Sequence, residues 1–71
     1  MTKDDVRNQI AAVLDIAPAE IADDDNLLDH GLDSVRVMSL VESWRANGAS
    51  IAFVDLAETP TVAAWADLLS R

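Results

Sequence analysis

The chain contains no cysteine and only one histidine, His30, among its 71 residues. Without cysteine it can form no disulfide, no thiolate zinc site and no cysteine nucleophile. A single histidine argues against a multi-histidine metal site and against a serine–histidine triad. We interpret His30 as a loop side chain beside acidic residues rather than a general base or pH switch, because nothing else completes a catalytic constellation. We therefore expect neither a metal site nor catalytic residues.

Positive charge and aromatic side chains are also scarce. Five Lys and Arg residues face 13 Asp and Glu residues, the net charge is −8, and only 4% of residues are aromatic. Such a charge repels nucleic acid and anionic lipid and steers basic protein surfaces toward the domain. No apolar run reaches the ~18 residues of a membrane helix, and residues 1–5 (MTKDD) do not resemble a signal peptide. We expect a cytoplasmic protein that binds neither nucleic acid nor membrane.

The length allows one domain and little more. A chain of this size buries only ~60–65% of its unfolded surface, which leaves no room for a deep cleft or a second lobe. We therefore expect residues 1–71 to form a single domain, monomeric and without enzymatic activity of its own.

Helical periodicity predicts an all-α fold, a small four-helix bundle with three main helices, one short helix and a long first loop. No segment has the alternation of a half-buried strand. The predicted helices run from a Thr2–Asp5 capping box to about Leu14, from Asp33-Ser34 to a cap at Gly48, for one or two turns within Ile51–Glu58, and from Thr59-Pro60-Thr61 onward, with Pro60 in the first turn.

Apolar residues at helical spacing predict the core. We also expect Leu56 to be buried and Phe53 to be partly exposed. The long loop from Ile16 to Asp33 is unusual in so small a domain, and such loops are commonly functional. Its acidic run lacks the ligand pattern of a calcium loop. The expected helix stripes are Val6, Ile10, Val13 and Leu14, then Val37, Leu40, Val41 and Trp44, then Val62, Trp65, Leu68 and Leu69, and the expected loop anchors are Ile16, Ile21, Leu27, Leu28 and Leu32.

The segment from Gly31 to Ser34 is the candidate site. Gly31 permits a turn with positive φ, and Leu32 can fix the end of the loop in the core. Ser34 then lies at a helix N-terminus, where partial positive charge favours an attached phosphate ester by ~0.3–1 kcal/mol. Asp33 offers a carboxylate that could help to hold a metal ion in a modifying enzyme. The alternative is that Ser34 is an ordinary N-cap residue.

Two apolar side chains, Val35 and Met38, flank Ser34 on the side of the helix that should face solvent. Scattered apolar residues are common on protein surfaces. The pattern therefore allows two interpretations, chance surface apolarity or an interaction patch.

With these motifs, the chain resembles the carrier-protein family of nonribosomal peptide and polyketide synthesis. The resemblance covers nearly the whole chain and includes LLDHGLDS (27–34) and FVDLAETPT (53–61). It implies a four-helix bundle in which Ser34 receives covalent 4′-phosphopantetheine and Asp33 is the adjoining acid used during transfer. It implies three kinds of partner, namely a phosphopantetheinyl transferase, an acyl- or aryl-adenylate ligase and a condensation or other acyl-transfer enzyme.

A narrower resemblance is to the aryl carrier domains of catechol siderophore assembly, carried by GLDSVR (31–36), Met38, Phe53-Val54 and Trp65. It implies a cargo such as 2,3-dihydroxybenzoate or salicylate, held as a thioester, and partner contacts at Met38, Phe53 and Ala57. The cargo could instead be an amino acid or a polyketide-type acyl group. In a different class, the chain could be an acidic helical interaction module in which Ser34 is only a helix cap.

Overall fold

A computed structural model describes residues 1–70, and all regular structure within them is helical. This confirms the all-α bundle of three longer helices and one short one. No helix formed by these residues has the length and hydropathy needed to cross a membrane. The helices are α1 (Lys3–Leu14), α2 (Ser34–Ala46), α3 (Phe53–Glu58) and α4 (Val62–Leu69), and two 3₁₀ turns, Pro18–Glu20 and Leu27–His30, lie between α1 and α2.

The first helix begins and ends close to where the sequence predicts. The Thr2 hydroxyl accepts the Asp5 N–H at 3.1 Å, and the Asp5 carboxylate accepts the Thr2 N–H at 3.0 Å. This reciprocal capping box satisfies two backbone donors at the start of α1. At the other end, Asp15 adopts a left-handed conformation with φ of 57°. The helix therefore ends before Pro18, which opens the first 3₁₀ turn.

The start of α4 differs from the prediction. The N-cap is Thr61, whose hydroxyl accepts the Ala64 N–H at 3.1 Å, so Pro60 precedes the helix instead of lying in its first turn. The Pro60 carbonyl accepts the Leu27 N–H at 2.8 Å. The expected place of Pro60 was wrong because a long-range bond to the first loop holds its backbone outside the helix.

Two tryptophans at the centre of the core join the four helices. The rings of Trp44 and Trp65 meet edge to face, with centroids 5.9 Å apart and planes at 77°. The Trp44 indole N–H donates to the Gln9 side-chain oxygen at 2.7 Å, and the Trp65 indole N–H donates to the Leu56 carbonyl at 2.9 Å. Both polar groups are thus satisfied. One bond links α2 to α1 and the other links α4 to α3.

The predicted stripes form the core, with differences in depth. The stripe of α2 is buried, Leu56 is fully buried, and Phe53 is only partly buried, as expected. The ends of the other stripes reach the surface. The expected core residues that are only partly buried are Val13, Leu14, Leu68 and Leu69.

The long first loop is packed against the core. Ile21, Leu27 and Leu32 are buried, as expected, and Ile16 is partly buried. Leu28 is 53% exposed, so the prediction that it anchors the loop was wrong. Leu27 and Leu28 are neighbours in a 3₁₀ turn, where successive side chains point in directions about 120° apart. Only one of the two can therefore face inward.

We predict that Leu56→Ala lowers the free energy of unfolding by ~2–5 kcal/mol, because it removes a fully buried side chain and leaves a cavity in the core. The matched control is Val54→Ala on the same helix, where Val54 is 58% exposed. This change should stay within ~0.5 kcal/mol of the unmodified chain. Urea denaturation followed by circular dichroism measures both, and equal losses would contradict the assignment of the core face of α3.

Candidate functional site

Ser34 is the first residue of α2, and Asp33 is the N-cap. One carboxylate oxygen of Asp33, Oδ1, accepts the Arg36 N–H at 2.9 Å. The interpretation of Ser34 as the helix cap was therefore wrong, because Asp33 already performs that role. Ser34 is exposed, and no hydrogen bond among residues 1–70 uses its hydroxyl.

The turn before Ser34 is fixed from inside the molecule. Gly31 has φ of 97°, a left-handed conformation that other residues adopt with strain. The next residue, Leu32, is buried, and its N–H donates to the Leu27 carbonyl at 3.3 Å. The expected roles of Gly31 and Leu32 are thus confirmed. The chain enters the core at Leu32 and returns to the surface at the next residue, Asp33, which precedes the exposed Ser34.

Charge at this end of α2 has two opposed sources. The first N–H groups of the helix carry partial positive charge. Asp33 brings a carboxylate whose side chain is 60% exposed, with its second oxygen, Oδ2, 3.9 Å from the Arg36 guanidinium. Adjacent residues therefore offer a hydroxyl and a carboxylate to solvent. A phosphate bound at the hydroxyl would meet the helix dipole, and a divalent cation bound between them would meet the carboxylate.

An apolar groove of about 290 Å³ opens beside Ser34. Its walls come from the first loop, from α2, α3 and α4, and from the connection between α3 and α4. A larger cavity of about 430 Å³ lies beside the C-terminal ends of α2 and α4, but none of the predicted site residues line it. Besides Ser34, the residues that shape the groove include Leu28, Val37, Phe53, Ala57 and Pro60.

The predicted partner residues fall into two groups. Val35, which is 76% exposed, and Met38 lie on the solvent side of α2. Phe53 and Ala57 of α3 line the groove beside Ser34. The structure thus brings Phe53 and Ala57 to the same groove as Ser34.

Leu28 lines the same groove, and the sequence interpretation missed it. Its exposure follows from the 3₁₀ turn, which directs only Leu27 into the core. The available signal was the Leu27-Leu28 pair itself, because two adjacent leucines in a single short turn cannot both face the same core.

His30 contacts an acidic residue of the loop, consistent with its interpretation. Its Nε2 lies 3.1 Å from Oδ2 of Asp25, and the same oxygen accepts the Ala22 N–H at 3.0 Å. The backbone N–H of Ala22, and then the hydrogen bond from His30, lower the pKa of Asp25 below its ordinary value of 3.8. One carboxylate thus links the backbone of Ala22 to the 3₁₀ turn Leu27–His30 that precedes Gly31.

Comparison with known proteins gives one family. Residues 4–69 match the family described as "Phosphopantetheine attachment site". The chain is 52% identical over 69 residues to an isochorismatase of Bacillus subtilis, covering 97% of this chain and 22% of that protein. It is 52% identical over 66 residues to enterobactin synthase component B of Escherichia coli, covering 93% and 23%. It is 42% identical over 65 residues to phenyloxazoline synthase MbtB of Mycobacterium tuberculosis, covering 92% and 5%. The chain thus spans less than a quarter of each relative.

The bonds of Asp25 predict a pH-dependent contribution to stability. Because the folded state lowers the pKa of Asp25, this contribution is present above the ordinary value of 3.8 and is lost as the pH falls through the folded pKa. Asp25→Asn should therefore lower the free energy of unfolding at pH 7, and the difference from the unmodified chain should shrink below pH ~4. Urea denaturation at several pH values measures this difference. A difference that stays constant from pH 7 to pH ~3 would contradict it.

Proposed function

The chain belongs to the phosphopantetheine attachment site family, whose members carry 4′-phosphopantetheine covalently on a serine, and on that premise we propose that it is an aryl carrier domain with Ser34 as the attachment residue. One observation carries the assignment of Ser34. Ser34 is exposed and lies at the edge of an apolar groove, and its hydroxyl is not used to cap α2 because Asp33 does so.

The residues around Ser34 fit this group. A phosphodiester on the Ser34 oxygen would lie at the positive end of α2. The neighbouring groove, walled by apolar side chains such as Leu28 and Phe53, gives an organic chain a surface on which to rest. When attached, the group supplies a thiol that holds an acyl cargo as a thioester. The absence of cysteine fits this proposal, since the attached group supplies the thiol and the protein needs none of its own.

In the proposed attachment step, a phosphopantetheinyl transferase presents coenzyme A and Mg²⁺ to the exposed turn. The Ser34 oxygen forms a bond to the phosphorus that bears the pantetheine chain, while the phosphoanhydride bond of coenzyme A breaks. Adenosine 3′,5′-bisphosphate leaves, and the hydroxyl proton passes to a base of the transferase. We assign to Asp33 the role of an additional ligand to the Mg²⁺, through the oxygen that does not cap α2.

We propose an aryl acid, such as 2,3-dihydroxybenzoate or salicylate, as the cargo. Support comes from the resemblance to the aryl carrier domains of catechol siderophore assembly and from the relatives, among them an isochorismatase and an enterobactin synthase component B, each 52% identical to this chain. An amino acid or a polyketide-type acyl group is the alternative cargo. The acid that the partner ligase activates, measured by adenylate–pyrophosphate exchange, distinguishes these cargoes.

Carrier domains of this family interact with a phosphopantetheinyl transferase and with adenylation and condensation partners. For this chain we propose that Val35, Met38, Phe53 and Ala57 form the contact surface for the ligase and for the acceptor enzyme. The net charge of −8 speeds encounter with basic partners, and the small apolar area keeps each complex short-lived.

Tethering is the physical contribution of such a domain. It raises the effective concentration of the cargo at each partner without catalysing a step itself. We propose that residues 1–71 form a single carrier domain, and that a cytoplasmic location and a monomeric state belong to the same proposal.

The attachment residue is tested by mass. The apo chain, incubated with coenzyme A and a broad-specificity transferase, should gain the mass of one phosphopantetheine, and Ser34→Ala should gain none because the reacting oxygen is gone. The matched control is Ser39→Ala, which removes another exposed hydroxyl of α2 and should gain mass like the unmodified chain. Modification of Ser34→Ala, or none of the unmodified chain, would refute the assignment.

The contact surface is tested by transfer rates. We predict that Met38→Asp and Ala57→Asp each slow cargo transfer to the acceptor enzyme by roughly tenfold, since a charge in a small apolar interface costs about 1.4 kcal/mol or more. Both residues are exposed, so the fold should be retained, whereas Phe53 packs partly against the core and is less suitable.

The control for these variants adds the same charge outside the proposed contact surface. Val54 is an exposed residue of α3 that is not part of the proposed contact surface, so Val54→Asp should leave transfer unchanged. Loss of transfer in the control to the same extent as in the other variants would show that added charge alone, not the proposed surface, sets the rate.

A further inference from the structure

Arg36 is the basic residue in the first turn of α2, two positions after Ser34. The other basic residues within 1–70 are engaged elsewhere or lie far along the chain. Lys3 and Arg7 pair with acidic residues of α1 and of the first loop. Arg45 lies in the last turn of α2.

Arg36 contacts both ends of the turn that presents Ser34. Its backbone N–H donates to Oδ1 of Asp33 at 2.9 Å. Its guanidinium Nη1 donates to the Gly31 carbonyl at 3.3 Å and lies 3.9 Å from Oδ2 of Asp33. The two oxygens of one carboxylate therefore face two different groups of the same residue. Together with the Gly31 contact, these interactions close residues 31–36 into a ring on the outside of the helix start.

The contacts of Arg36 restrain the turn from the solvent side, and the buried Leu32 restrains it from the core side. Leu32 fixes the turn from the core side, but it does not restrain the exposed Asp33 side chain. A free carboxylate would exchange among staggered rotamers and would lose that freedom on binding a metal ion. The backbone N–H and the guanidinium of Arg36 hold it in one orientation before any partner arrives.

We propose that Arg36 is a positioning residue for the esterification of Ser34. Its guanidinium holds the Gly31 carbonyl and orients Asp33, so that the Asp33 carboxylate and the Ser34 hydroxyl face an incoming transferase in a fixed relation. This inference rests on the proposed function, because it takes Ser34 as the attachment residue. It adds a role for a side chain whose contacts in the structure are with Gly31 and Asp33 rather than with the Ser34 hydroxyl.

The test measures kcat and KM of a transferase with the apo chain as the varied substrate. Arg36→Ala should lower kcat by roughly threefold to tenfold with KM little changed, because misalignment acts on the reacting geometry rather than on encounter. Arg36→Lys restores a donor and the charge and should recover most of kcat. Arg45→Ala, on the same helix, should match the unmodified chain. A rise in KM alone would mean that Arg36 contacts the transferase directly, and would overturn the proposal.

A double-mutant cycle shows whether Arg36 acts through Asp33. In an Asp33→Asn background, Arg36→Ala should cost little further rate, because the carboxylate that it orients is already gone. Equal losses in both backgrounds would overturn the inference. Failure of the proposed function is separate from this result: it would appear as no modification of the unmodified chain at Ser34. Normal modification at Ser34 with unaltered kinetics in Arg36→Ala would overturn only the role of Arg36.

Discussion

The hydrogen bond from the Arg36 N–H to the Asp33 carboxylate, 2.9 Å long, caps the start of α2 and leaves the Ser34 hydroxyl without a capping role. A helix leaves its first N–H groups without partners, and a short polar side chain at the N-cap supplies one. Because Asp33 performs this task, the neighbouring serine is left with an exposed hydroxyl. The same carboxylate keeps a second oxygen near the surface. Asp33 thus caps the helix, and the adjacent Ser34 is the proposed site of covalent attachment.

That helix start is held in place by contacts that are distant in sequence. The buried Leu32 and the backbone bond from Leu27 to Pro60 fasten the first loop to the connection between α3 and α4. The Ala63 N–H donates to the Asp23 carbonyl at 3.0 Å and fastens the loop a second time. These contacts bring α2, α3 and the loop around one groove. A chain of this size has little room for a deep cleft, and the groove beside Ser34 lies between short elements.

The surface combines strong negative charge with a few large apolar side chains. Of the exposed residues, Leu28, Val35 and Met38 are close in sequence to Ser34, and Leu28 lines its groove. Acidic residues of the loop are drawn into local bonds, as Asp25 is by Ala22 and His30. Such a surface suits a domain that meets several partners in turn, because charge governs encounter while a small apolar contact limits residence.

Much of the structure of this domain could be predicted from its amino-acid sequence. The capping box of Thr2 and Asp5, the stripe of α2 and the left-handed Gly31 all depend on neighbours within a few positions, so the local sequence predicted the four helices, most of their core faces and the segment that contains the candidate serine. The choice of Asp33 rather than Ser34 as the N-cap and the exposure of Leu28 follow from short-range geometry, a bond to Arg36 and a single 3₁₀ turn, between whose outcomes the sequence pattern did not choose. The position of Pro60 outside α4 was decided only by the tertiary structure, because the bond from the distant Leu27 holds its backbone there. The groove has the same origin, since its walls come from segments that become neighbours only when the core forms.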